Sequence, residues 1–264
     1  MNDKLEIQYI SDIHLEFLGN SRFIEIPIIA PFLALVGDIG YPSKAHYSKF
    51  LKWCSEKYQK VFLIAGNHEY YDLGDMEKTE RKMLELVEDL KNVYYLNDDI
   101  YEFSKDSKFK DYVILGATLW SHIPFKHFGE VYKNMMDYRK ISINKEQLKI
   151  EFTNELHAVA KDFLEDEINK AKENGKKVII LTHHAPLKNG TSPPEYEQEG
   201  DERALNHAFV SDLSELMGDP VVAWIFGHTH WTCDFDYKGT RVVTNAIGYR
   251  YERFDVNLDT KIEI

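Results

Sequence analysis

Five short apolar runs in this chain each break off into a residue able to hold a metal ion, always on the C-terminal side. "LEIQYIS" (5–11) leads into Asp12-Ile13-His14, "FLALVG" (32–37) into Asp38, and "VFLIAG" (61–66) into Asn67 and His68. "VIILT" (178–182) leads into His183 and His184, and "VAWIFG" (222–227) into His228-Thr229-His230. Each run has the length of a β-strand, is rich in β-branched or aromatic residues, and is stopped by glycine or polar residues. Open α/β sheets place their ligands outside the carboxyl ends of the strands. A carboxylate or imidazole at the edge of a core is costly without a partner, so five such junctions demand that these side chains satisfy one another or a shared ion.

Between the runs lie helical spacings. Residues 43–57 carry Tyr47, Phe50, Leu51 and Cys54 on one face, and 76–90 carry Met83, Leu84, Val87 and Leu90. Residues 144–174 form a longer amphipathic stretch closed by Gly175. With a sixth run, "YVILGAT" (112–118), strand and helix alternate, which predicts an α/β fold with helices covering a mainly parallel central sheet. The segment 233–252, "CDFDYKGTRVVTNAIGYRYE", predicts a hairpin turning at Lys238-Gly239. No linker or repeat divides the chain, so residues 1–264 are expected to form one domain. Residues 185–203, "APLKNGTSPPEYEQEGDER", are rich in Pro, Gly and charge and predict a long loop without regular structure, of the kind that serves as a lid.

The net charge of -12 repels polyanions at long range, and no basic track offsets it. The densest basic stretch, "KAKENGKK" (170–177), falls at a predicted helix end, where cations complement the dipole. No nucleic-acid partner is therefore expected. Two cysteines, Cys54 and Cys233, suit a reducing compartment. The first residues lack the regions of a signal peptide and no apolar run reaches membrane-spanning length, so a cytoplasmic protein without a membrane partner is expected.

The order Asp-X-His, Gly-Asp, Gly-Asn-His-Glu, His, Gly-His-X-His, running from Asp12 to His230, resembles the calcineurin-like metallophosphoesterase superfamily. The resemblance implies a four-layer αββα sandwich, with mixed sheets inside and helices on the outer faces. It assigns one divalent ion to Asp12, His14, Asp38 and His230, and a second to Asp38, Asn67, His183 and His228, with Asp38 bridging. Oxygen and nitrogen donors without thiolate suit two transition-metal ions such as Mn, Fe, Zn or Ni. It further implies hydrolysis of a phosphate ester by direct attack of metal-bound hydroxide, while His68, left out of both donor sets, protonates the leaving oxygen or stabilises charge there. His184 is expected to point away from His183 and to support a ligand or pack. Glu69 is expected to be structural. Tyr41, Trp120, His122 and Tyr196 are candidates for lining a pocket.

Protein Ser/Thr phosphatases of this superfamily continue the Gly-Asp motif with Asp-Arg, where this chain reads "GDIGYPSKAHY". Lipid A precursor hydrolases place arginine where this chain has His68 and need an apolar docking element, while nucleases need a basic track that the acidic residues 195–202 oppose. A non-catalytic interaction scaffold of this fold typically loses ligands, and all are present here. A purely structural zinc site would be closed by four protein ligands. The expectation is therefore a phosphomonoesterase or phosphodiesterase acting on a small molecule such as a nucleotide.

Overall fold

The computed structural model describes residues 4–18, 24–197, 202–249, 251–252 and 257–264, with 202 and 203 described by their backbone alone. In chain order the elements are β1 (Glu6–Ile10), β2 (Phe32–Val36), α1 (Ala45–Lys57), β3 (Lys60–Ile64), α2 (Asn67–Leu73), α3 (Met76–Glu88), β4 (Val93–Tyr95), β5 (Asp99–Glu102) and β6 (Tyr112–Ala117). There follow α4 (Phe128–Asn134), α5 (Asp137–Lys140), the small hairpin of β7 (Ser142–Ile143) and β8 (Glu146–Gln147), α6 (Ile150–Glu173), β9 (Lys177–Thr182), α7 (Pro194–Glu197) and α8 (Glu202–Asn206). The described chain closes with β10 (Val221–Phe226), β11 (Thr232–Tyr237), β12 (Thr240–Asn245) and β13 (Lys261–Glu263).

The strands form two large mixed sheets rather than one central sheet. The first runs β13-β1-β2-β3-β4 and the second β11-β12-β10-β9-β6-β5. In the first, β1 to β4 are parallel and β13 is antiparallel to β1. In the second, β6, β9, β10 and β12 are parallel, and β5 and β11 close the edges antiparallel. Side-chain alternation explains why the runs read as almost wholly apolar, Glu6 and Gln8 of β1 being the exceptions. Phe32, Ala34 and Val36 meet Ile179, Leu181 and Ile225 of the other sheet, whereas Leu33 and Leu35 face Tyr47, Phe50 and Leu51 of α1. On the far side Val178, Ile180 and Trp224 face Ala160, Leu164 and Ile168 of α6. Both faces of each central strand are buried, one by helix and one by sheet, giving four αββα layers.

Three expectations change. The amphipathic helix begins at Ile150, because Asn144 and Lys145 take positive φ of 52° and 67° and turn the β7–β8 hairpin instead. The segment 185–203 is not structureless: Ala185 bridges to Val210, and Glu197 accepts from the backbone N–H of Thr191 and Ser192 at 3.1 Å each. It also contains α7 and the start of α8, while its residues 198–201 lie outside the described residues. The strands β4, β5 and β13 went unread because they lie at sheet edges and are only three or four residues long. The predicted hairpin at Lys238-Gly239 is present as β11–β12. Among the described residues, no helix is long and apolar enough to cross a membrane.

Candidate metal centre

The loops leaving β1, β2, β9 and β10, with the start of α2 after β3, meet at one end of the sandwich. Asp12, His14, Asp38, His228 and His230 all adopt left-handed backbone, with φ between 50° and 68°. Such conformations cost non-glycine residues roughly 1–3 kcal/mol each and persist only where neighbours enforce them. Here Asp12 N–H donates to the Gly37 carbonyl and His14 N–H to the Asp38 carbonyl, both at 3.0 Å. The buried Glu69 carboxylate accepts from the N–H groups of Gly66, Asp38, Ile39 and Gly40, locking the loop after β2 to the start of α2. Two glycines allow the loops to close: a Cβ on Gly37 would lie 2.2 Å from His183 Nδ1, and one on Gly66 2.2 Å from Asp38 Oδ1.

Three groups of possible ligands result, each with atoms within 4.8 Å of one another: a first of Asp12, His14 and His230, a second of Asp38, His183 and His228, and between them an overlapping set of His14, Asp38 and His68. In the first, Nδ1 of His14 is 3.2 Å from Glu16 and Nδ1 of His230 is 2.6 Å from Glu252, so both imidazoles donate outward. Their Nε2 atoms then face each other at 3.2 Å. In the second, His183 Nδ1 donates to the Val36 carbonyl at 2.9 Å, which turns the Nε2 lone pair toward Asn67 Oδ1 at 3.1 Å and Asp38 Oδ1 at 3.4 Å. The Asn67 amide is oriented by donating its Nδ2 to Tyr71 Oη at 3.0 Å. His228 Nε2 is buried with no hydrogen-bond partner. Acceptors crowding acceptors at these distances repel one another unless a cation lies among them, so the donor set fits divalent metal. Asp38 stands between the groups, 3.4 Å from His183 Nε2 and 3.9 Å from His14 Nε2.

The electrostatics agree. Burial, with Glu69 and Asp12 adding, pushes the Asp38 carboxyl well above the usual range. Burial drives His183 down to about 4 and His228 well below its ordinary value, leaving the neutral imidazole a metal requires. His230 goes the other way: burial opposes its charge, yet Asp12 and Glu252 draw it up to about 9, as expected where a positive charge is favoured.

His68, the second residue of α2, lies beside both groups, with Nε2 3.9 Å from Asp38 Oδ2 and 3.1 Å from Tyr249 Oη. It also falls within 4.8 Å of His14 and Asp38 ligand atoms. His184 is buried behind His228, ring centroids 4.1 Å apart, and its Nδ1 meets Ser121 Oγ at 2.8 Å. A cavity of about 1070 Å³ opens over Asp38, Asn67, His68, His228 and His230. Tyr196 lines it; Tyr41, Trp120 and His122 do not. Trp120 is buried against Tyr70 and His184, and His122 borders a separate hollow with His157. Met135, Met136 and Lys140, from the segment carrying α4 and α5, form another wall, which the sequence did not announce.

Sequence reasoning also passed over Glu16, Tyr71, Tyr249 and Glu252. Glu16 sits two residues after His14 in "DIHLE", and Tyr249 and Glu252 lie in "GYRYE", read only as the end of a hairpin. Their spacing to His14, His68 and His230 exists only in the folded chain.

A family of calcineurin-like phosphoesterases matches residues 7–232. An uncharacterized protein, L509, of Acanthamoeba polyphaga mimivirus is 34% identical over 282 residues, covering 98% of this chain and 96% of the relative. Among solved structures, the phosphopantetheinyl hydrolase PptH of Mycobacterium tuberculosis is similar with a TM-score of 0.66 at 16% identity, over 96% of this chain and 92% of that one. The first match spans the loops that carry the two donor groups, and the last extends the shared fold over nearly the whole sandwich; the chain belongs to the calcineurin-like phosphoesterase family.

Proposed function

We propose that the chain is a phosphoesterase dependent on two divalent metal ions that hydrolyses a mono- or diester of a small molecule, such as a nucleotide. The observation carrying this reading is that two donor groups meet at Asp38 on the floor of a cavity, with His68 at their side. Asp12, His14, Asp38 and His230 would hold one ion, and Asp38, Asn67, His183 and His228 the other. Ions bound there supply an acidified water and neutralise the phosphoryl oxygens. The protein's part is to fix the geometry and to manage the proton. Water oxygen bonds to phosphorus, the ester P–O bond breaks with its electron pair on the leaving oxygen, and His68 Nε2 passes a proton to that oxygen. His68 is the better placed of the histidines because both nitrogens of its ring are reached by hydrogen-bonding groups and one faces the cavity.

The cavity is at the upper end of the roughly 300–1,000 Å³ of small-molecule sites. Met135, Met136 and Phe209 offer an apolar wall and Lys140 a cation, which suits an ester with a bulky organic arm. The described part of residues 185–203 serves as the lid in this reading, supported by Ser192, Pro193, Glu195 and Tyr196 on the cavity wall.

The test is turnover of p-nitrophenyl phosphate against bis-p-nitrophenyl phosphate after loading with Mn, Fe, Zn or Ni, followed by nucleotides. Phosphopantetheinyl diesters join the screen because the M. tuberculosis neighbour is a phosphopantetheinyl hydrolase. His68→Ala is expected to keep its metals and lose about 10²- to 10⁴-fold in kcat. Inactivity of the native chain on every ester with every metal would replace the enzyme with a scaffold, and near-native rates for His68→Ala would remove the role given to His68.

A further inference from the structure

Both ring nitrogens of His68 are engaged: Nδ1 lies 2.9 Å from Glu16 Oε1, and Nε2 3.1 Å from Tyr249 Oη. Glu16 is no incidental surface carboxylate. Its side chain is 4% exposed, the same Oε1 lies 3.2 Å from His14 Nδ1, and Oε2 is buried with no hydrogen-bond partner. Even paired, a buried carboxylate loses several kcal/mol of hydration. Two imidazole N–H groups are the compensation the described residues offer. A position this costly, bonded to these two rings, is best understood through what it does to them.

We propose that Glu16 is the positioning residue for His68: its carboxylate accepts the Nδ1–H, fixes the ring and its tautomer with Nε2 toward the cavity, and ties that ring to His14. An ionised carboxylate can only accept, so Nδ1 must carry a proton and Nε2 is the atom left to meet substrate. When Nε2 gives its proton to the leaving oxygen, His68 returns to the neutral tautomer with Nδ1–H still on Glu16. The carboxylate keeps its charge throughout and takes no proton. The paired hydrogen bonds to His14 and His68 hold the proton donor at a set distance from the first donor group. This inference rests on the leaving-group role given to His68 above.

The experiment compares Glu16→Gln, Glu16→Asp, His68→Ala and the Glu16→Gln/His68→Ala double variant, all metal-loaded, on a series from p-nitrophenyl phosphate to phenyl and alkyl phosphates. Poor leaving groups need the proton most. His68→Ala is expected to lose most on the alkyl esters. Glu16→Gln is expected to follow the same trend with a loss of about 10- to 100-fold, typical of a partner that orients a working histidine. Its metal content stays at the native level, and the double variant is no slower than His68→Ala. Glu16→Asp, which keeps the charge but draws it back by one methylene, falls between native and Glu16→Gln. A uniform loss across the series with loss of metal would show that Glu16 serves His14 alone, and a double variant that multiplies the two losses would separate Glu16 from His68. Native behaviour of Glu16→Asp on every ester would also overturn the inference, which guards against a Gln variant that fails to fold. The two readings fail differently: a flat series for His68→Ala removes the role of His68, whereas a steep one beside a flat Glu16→Gln removes only that of Glu16.

Discussion

The two donor groups have the same chemistry in front and opposite chemistry behind. Around Asp12, His14 and His230 the outward nitrogens meet carboxylates, Glu16 and Glu252, and His230 is 16% exposed toward the cavity. Around Asp38, His183 and His228 the backing is neutral: the Val36 carbonyl, the His184 ring, and Phe209 stacked on His228 at 4.7 Å. Carboxylates behind an imidazole raise its basicity and add negative charge, whereas carbonyls and rings fix its direction and keep water out. A cation at the first group would thus be held by charge beside the more exposed ring of His230, and one at the second by more deeply buried donors with neutral backing, although Asp38, Asn67 and His228 also line the cavity. On chelation the ion at Asp12, His14 and His230 is expected to leave first.

Removing the shared member should erase the comparison. Asp38→Ala is expected to lose both ions and more than about 10³-fold in turnover, since each ion contributes several kcal/mol of charge stabilisation. Metal analysis that still finds one tightly held ion would show that the groups are independent. Glu252→Gln should sharpen it: the His230 side loses about 10- to 100-fold in metal affinity while the other ion is unaffected, read from a chelator competition. The smallest effect is expected at Ser121→Ala, which removes the partner of His184 behind the enclosed group. It should cost about 1 kcal/mol of stability in a denaturant titration and leave both ions in place; loss of metal there would mean that enclosure alone does not hold that ion.

Much of this architecture could be read from the chain because buried strands announce themselves. The runs ending at Gly37, Gly66, Thr182 and Gly227 are apolar on both faces, the run ending at Ser11 on one, and all stop abruptly, so the donors that follow them are marked by position as well as by type. Two packed sheets could not be told from one by apolarity alone, since a helix and a second sheet hide a strand face equally well. The seven side chains that follow these runs lie together at one end of the sandwich, but what stands behind them did not declare itself. Glu16 reaches His68 across 52 positions and Tyr249 across 181. Neither has a spacing that local periodicity could reveal. The α4–α5 segment was silent for another reason: Met135 and Met136 face a cavity rather than a core, so their apolar character has no repeat to belong to.

Each donor group draws members from both sheets. Asp12 and His14 follow β1 while His230 follows β10; Asp38 follows β2 while His183 and His228 follow β9 and β10. The Ser11–Ala246 bridge and the Gly248-to-Asp12 backbone bond are stitches between the same two layers at this end. Ions seated here would act as rivets through the sandwich, so that slippage of one sheet over the other and loss of metal become a single event. Backbone amides of β2 and β10, deep between the layers and far from solvent, would then exchange their hydrogens at a rate set by metal occupancy at the rim.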